Sequence, residues 1–277
     1  MTYVSPFNEL IKKNAYTESY AKRHQSYLGN LEEIFNRIEQ REDKKNQEYK
    51  PTIKEIYQRI MDPPRIIKAL IDYKIKNPNV QNMHSLINNS IDFALNEYLG
   101  LKQTKEEAEK LNQNILNNCG EAIFLEAIVQ KFDTPTFYAQ NPEKSRDTVR
   151  KLTYFCNKQP ILLIALAHGG IASGMDVYLE YTNLTKQKEK SLFYPIRCSK
   201  YKYGDNNPQI SKEEKEFLQK NAEDKIVVIF DEDTCTGRTL KNAKNFFKEE
   251  IFPYSSIKIA SNMDLFNLIS CDGEKIK

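Results

Sequence analysis

From residue 160 onward, short apolar runs alternate with amphipathic stretches, and that alternation restricts this chain more than any other feature. Ile161–Ala167, Ser191–Arg197, Ile226–Phe230 and Ile257–Ala260 are strand-length runs rich in Ile, Leu, Val and Phe. Between them, Ile171–Tyr181, Ser211–Asn221 and Thr239–Glu250 place apolar residues at helical spacing. Strands buried on both faces read as continuous apolar runs, and strands alternating with helices build a parallel sheet. In such sheets ligands sit at the carboxyl ends of the strands. Gly169-Gly170 and Gly237 follow two of those ends.

The first half has a different period. LEEIFNRIEQ, IKEIYQRIM, PRIIKALIDYKI, MHSLINNSIDFALNEYL and KEEAEKLNQNILNNCGEAIFLEAIVQKF all carry the helical spacing. Thr52 and Asp62-Pro63-Pro64 read as two separate helix starts, and Gly100 and Gly120 as helix ends. Thr134-Pro-Thr to Asn141-Pro-Glu reads as a connection, with one more helix over 146–157. The expected organisation is an all-helical region over 1–140 and an α/β domain over 141–277.

Composition removes several classes. The 277 residues have a mean hydropathy of -0.66, and no apolar run approaches the roughly 18 residues that a spanning helix needs. The opening MTYVSPFNELIKKN lacks the apolar core of a secretory signal. Five scattered cysteines without CxxC spacing argue against a disulfide framework or a zinc site, and a reducing cytoplasm is the expected compartment. A net charge of +3 with interleaved signs describes solvated helix faces; a nucleic-acid surface is not indicated.

The chemistry concentrates in Ile226-Val-Val-Ile-Phe-Asp231-Glu232-Asp233-Thr234-Cys235-Thr236-Gly237-Arg238-Thr239-Leu240. An apolar strand delivers acids to its carboxyl end, then comes a turn rich in Thr and Gly, then a helix. Backbone N–H groups in such a turn, added to a helix N-terminus, form an anion cradle. Acids beside it suit sugar hydroxyls or a developing carbocation better than phosphate itself. This stretch resembles the phosphoribosyl-diphosphate (PRPP) signature of type I phosphoribosyltransferases: four apolar residues, two acids, a few variable residues, then Thr/Ser-Gly-x-Thr. The resemblance covers roughly residues 146–264.

It implies a Rossmann-like parallel sheet with flanking helices and a pentosyl transfer from PRPP to a nitrogen acceptor, with release of pyrophosphate. In its terms Asp231 and Glu232 bind the ribose hydroxyls and favour positive charge at the anomeric carbon. Asp233, Thr234, Cys235, Thr236, Gly237, Arg238 and Thr239 wrap the 5′-phosphate. His168, Gly169 and Gly170 hold the leaving pyrophosphate through backbone N–H groups. Lys200 or Lys202, on a loop running to about Lys212, closes over the site. Mg²⁺ is carried mostly on substrate oxygens, with Asp231 and Glu232 as its protein partners. Cys235 stands where hypoxanthine-type relatives have Asp, which weakens a 6-oxopurine acceptor. Arg238, where many members have Gly, also occurs in pyrimidine-operon regulators. The acceptor is left open. So is a homo-oligomer or partner protein bound through the helical region, and so is a non-catalytic relative that senses PRPP or a nucleotide, or that serves as an effector subunit of a larger assembly.

Rival readings of the same residues are weaker. Asp231-Glu-Asp233 resembles the haloacid dehalogenase motif, but Cys235 replaces its Thr or Val and too little chain follows. The strand resembles a Walker B segment without a GxxxxGK[ST] ahead of it, and Gly169-Gly170…Gly174 does not match GxGxxG. Cys235 reads as a small turn filler, since no cation is at hand to lower its pKa. The His168 side chain reads as a turn histidine. His24 and His84 read as structural helix residues.

Overall fold

The computed structural model describes residues 3–44, 50–100, 105–167, 169–198, 208–234 and 237–264. The chain divides into two compact units, Pro6–Thr134 and Met1–Ser5 with Pro135–Lys277.

The first unit is helical: α1 (Phe7–Lys12), α2 (Glu18–His24), α3 (Leu31–Lys44), α4 (Ile53–Lys76), α5 (Met83–Tyr98), α6 (Lys105–Cys119) and α7 (Ala122–Leu125). To these it adds one small sheet that the helical periodicity did not announce. Strands β1 (Tyr27–Gly29) and β2 (Ile128–Gln130) pair antiparallel. Helix α4 is also a correction. Two helices broken at Pro63-Pro64 were expected, yet one helix of 24 residues runs through both prolines. A proline inside a helix leaves the carbonyl four residues back without its N–H donor. For Pro64 that carbonyl is Ile60 O, and the buried Tyr98 hydroxyl donates to it at 3.0 Å. Asp62 caps nothing. It is fully buried and accepts from Arg37 and Arg65, whose guanidiniums lie 5.0 and 4.4 Å from the Tyr27 ring centre. Thr52 starts the helix as expected, in a reciprocal capping box with Glu55. Gly120 stands at a φ of +72°, just after α6, in the left-handed conformation that ends helices.

The second unit is a mixed α/β fold: α8 (Thr134–Ala139), α9 (Pro142–Phe155), β3 (Ile161–Ala167), α10 (Gly170–Thr185), β4 (Leu192–Arg197), α11 (Lys212–Ala222), β5 (Ile226–Thr234), α12 (Arg238–Phe246) and β6 (Ile257–Asp264). Its four strands are all parallel, in the order β4-β3-β5-β6. Every residue of β3 is buried, as a strand covered on both faces requires. Helix α10 packs on β3, β4 and β5, α9 on β6, and α12 on β5 and β6.

Gly174 sets how closely α10 approaches the sheet. A Cβ there would stand 3.0 Å from Ala165 Cβ and 3.2 Å from the Phe193 and Phe230 rings. These neighbours are sheet residues and yield little. Gly174→Ala is therefore expected to lower unfolding free energy by about 1–3 kcal/mol, helix propensity notwithstanding. A urea titration reads this directly, and an unchanged midpoint would show that α10 slides freely. Among the described residues no helix is long and apolar enough to cross a membrane.

Candidate functional site

The strand order reverses direction between β3 and β5. β3 runs on to β4 on one side, and β5 runs on to β6 on the other. The crevice outside such a reversal is where open parallel sheets bind ligands. The last β3–β5 pair is Ala165 with Phe230, so Asp231 and Glu232 stand just past the point where β3 lets go.

The strand expected over 226–230, with the acids at its carboxyl end, is longer than that and carries them within it. β5 continues to Thr234 because β6 continues beside it, pairing Asp231 with Ser261, Asp233 with Met263 and Thr234 with Asp264. Phe230 and Thr234 are buried, while Asp231, Glu232 and Asp233 are partly exposed. Asp231 Oδ1 accepts from the Glu232 backbone N–H at 3.1 Å. Glu232 Oε1 accepts from the Thr136 hydroxyl of α8 at 3.2 Å. Glu232 Oε2 is buried without a hydrogen bond.

The Glu232 carboxylate lies directly against the turn that follows β3. A Cβ on Gly169 would collide with it, and a Cβ on Gly170 would stand 3.4 Å from Oε2. Gly169 has an ordinary helical φ of -67°, so close approach rather than backbone freedom makes it glycine. Gly237 is the opposite case. Its φ of +65° places it in the left-handed region, immediately before α12, where glycine carries no steric cost. Gly237 has no side chain with which to cap α12, whose first N–H groups open just beyond that turn.

Crowding these partly buried carboxyls together penalises their charged forms. Burial first, and then the neighbouring Glu232 charge, pushes Asp231 well above the usual carboxylate range. Burial also raises Glu232, and the hydrogen bonds from Asp231 and Thr136 partly offset this.

Asp231, Glu232, Asp233, Gly169 and Gly170 thus meet at one end of the sheet, and Gly237, Arg238 and Thr239 open α12 just beyond β5. Thr234 is turned elsewhere: its hydroxyl donates to Met263 O at 3.0 Å, tying β5 to β6. His168, Lys200, Lys202, Cys235 and Thr236 lie outside the described residues.

Two residues were missed. Thr136 falls in the segment read as a connection, and nothing local marks it as a partner of Glu232. Arg197 is a cation only 1% exposed at the carboxyl end of β4, in register with Ala167. Its signal was a charge ending an otherwise apolar strand.

Among the described residues no cluster of three or more His, Cys, Asp or Glu side chains could hold a metal ion. Mg²⁺ carried on substrate phosphates needs only one or two carboxylates from the protein. The unpartnered Oε2 of Glu232, beside Asp231, fits that smaller requirement. Comparison of the chain with protein-family models, with curated proteins and with solved structures finds no match.

Proposed function

We propose that the α/β unit is a type I phosphoribosyltransferase domain that takes PRPP and transfers its ribose 5-phosphate to a nitrogen acceptor. The observation that carries the reading is the meeting of Asp231 and Glu232 with Gly169-Gly170 at the strand-order reversal, beside the Gly237 turn and the start of α12. One sheet end then offers an acidic pair between two backbone anion sites, which suits a ribose phosphorylated at both ends.

The roles follow from that placement. The Gly237 turn and the first N–H groups of α12 bind the 5′-phosphate. Asp231 and Glu232 accept from the ribose hydroxyls and orient the sugar. As the bond from the anomeric carbon to pyrophosphate breaks, its electron pair leaves with the pyrophosphate. The nitrogen lone pair forms the new bond and the nitrogen sheds its proton. Positive charge on the sugar in between is stabilised by the two carboxylates, which are already in place. Mg²⁺ would supply charge neutralisation on the diphosphate, held on the protein side by Glu232 and Asp231. The rest of the rate enhancement is positioning.

Calorimetric titration of PRPP into the full chain, with and without Mg²⁺, tests the reading. Saturable Mg²⁺-dependent binding is expected, with pyrophosphate release once a suitable nitrogen acceptor is added. Absence of binding would overturn it. Binding without release across a panel of nucleobases would point instead to a PRPP sensor.

A further inference from the structure

Residues Tyr3–Ser5 belong with the α/β unit, and at Pro6 the chain enters the helical one. This short strap reaches Asp176, which lies on α10 and is completely buried. The Tyr3 hydroxyl donates to Asp176 Oδ1 at 2.6 Å. The Ser5 and Ser145 hydroxyls face the same carboxyl, and Arg146 is the cation whose charge reaches it. Asp176 Oδ2, Ser5 Oγ and Ser173 Oγ are buried without hydrogen bonds. A carboxyl this deep with one good donor is poorly satisfied. Burial accordingly pushes it above the usual carboxylate range. Withdrawing Tyr3 would remove the one close donor to this carboxyl and leave it to the two serine hydroxyls, a cost that loosening the start of α10 would relieve.

The position of Asp176 matters because of what else α10 carries. Its first residue is Gly170, six residues earlier and about 9 Å along the helix, against Glu232. A second route leads the same way. Asn262, buried at the end of β6, donates to Ala139 O at 2.7 Å and to Ser145 Oγ at 3.2 Å. It accepts from Thr148 at 2.8 Å. Those bonds join the Asp176 neighbourhood to α8, whose Thr136 holds Glu232.

We propose that Tyr3–Ser5 is a conformational latch: docked on Asp176, it holds the first turns of α10, and with them the Gly169-Gly170 turn, in the ordered form that meets Glu232. Only the last step, from turn order to ligand affinity, rests on the proposed function.

Hydrogen–deuterium exchange on the full chain tests the latch without a ligand. Tyr3→Phe is expected to speed exchange across 170–175 by roughly tenfold, while α11 keeps its wild-type rate. In an Asp176→Leu background, where no buried acceptor needs the strap, Tyr3→Phe should change exchange less than about twofold. This second background also serves if the single variant fails to fold. Unchanged exchange in folded Tyr3→Phe, equal acceleration throughout the α/β unit, or the same acceleration in the Asp176→Leu background would each overturn the latch. A parallel PRPP titration separates the two claims. Failure of wild type to bind PRPP removes the ligand assignment and leaves the exchange result standing, whereas unchanged exchange removes the latch whatever PRPP does.

Discussion

The double variant Asp231→Asn/Glu232→Gln is expected to melt higher than the wild type while losing transfer activity by roughly 1,000-fold or more. The two effects have one cause. Adjacent carboxyls are crowded together, partly buried, at the end of β5, and burial raises the pKa of both. In the folded state they bind protons that the unfolded chain has already released. Stability is then full below the ordinary carboxylate pKa and falls as pH rises toward the raised folded values. The wild type therefore bears more of the cost of that charge at pH 8 than at pH 5. The amides keep the shape and remove the charge. Melts at the two pH values should show the variant ahead by about 2–5 °C at pH 8, with a much smaller gap at pH 5. Pyrophosphate release should disappear in the same protein. A variant that melts lower than wild type at pH 8 would mean that the acids are structural, and retained turnover would mean that they are not the catalytic pair.

A site that costs stability is where local sequence rules are expected to misjudge structure, and here they did so in particular ways. The strands and helices after residue 160 were legible because a parallel sheet covered on both faces writes itself as apolar runs. The acidic strand and the Gly-Gly turn were each legible as motifs. Their meeting was not, because β3 and β5 are neighbours only through a strand order that leaves β4 on the far side of β3. The true end of β5 was hidden for the same kind of reason: the apolar run stops at Phe230, and only β6 supplies partners out to Thr234. Thr136 acts across 96 positions, with no local mark. In the helical unit, Pro63-Pro64 obeyed the local rule for a helix boundary until the Tyr98 hydroxyl, 38 residues from Ile60, took the orphaned carbonyl. Strands of three residues, such as β1 and β2, are too short to show a period at all.

Gly169→Ala should damage the site out of proportion to its size, and Gly170→Ala should not. The two glycines are adjacent, and both face Glu232. Yet a methyl on Gly169 falls on the carboxylate, whereas one on Gly170 meets Oε2, Phe230 O and Asp231 Cα at 3.4, 3.6 and 3.8 Å, which is ordinary contact. The obstacle at Gly169 is the far end of a side chain, so Glu232 can swing aside if it gives up the Thr136 hydrogen bond and its packed position. Unfolding free energy should therefore fall by only about 1–2 kcal/mol. On the proposed function, PRPP affinity and turnover should fall by roughly 100-fold, since the acid assigned to orient the sugar would no longer point at it. Gly170→Ala should stay within about 0.5 kcal/mol of wild type. Urea titrations of Gly169→Ala, Glu232→Ala and the pair close the cycle. With the carboxylate gone the methyl has room, so the double variant should be more stable than the sum of the single effects by at least about 1 kcal/mol. Additive effects would mean that Glu232 does not rest on Gly169. The acidic pair and the glycine turn would then be two separate motifs that share one end of a sheet, and the case for a single ribose-diphosphate site would lose its geometric basis.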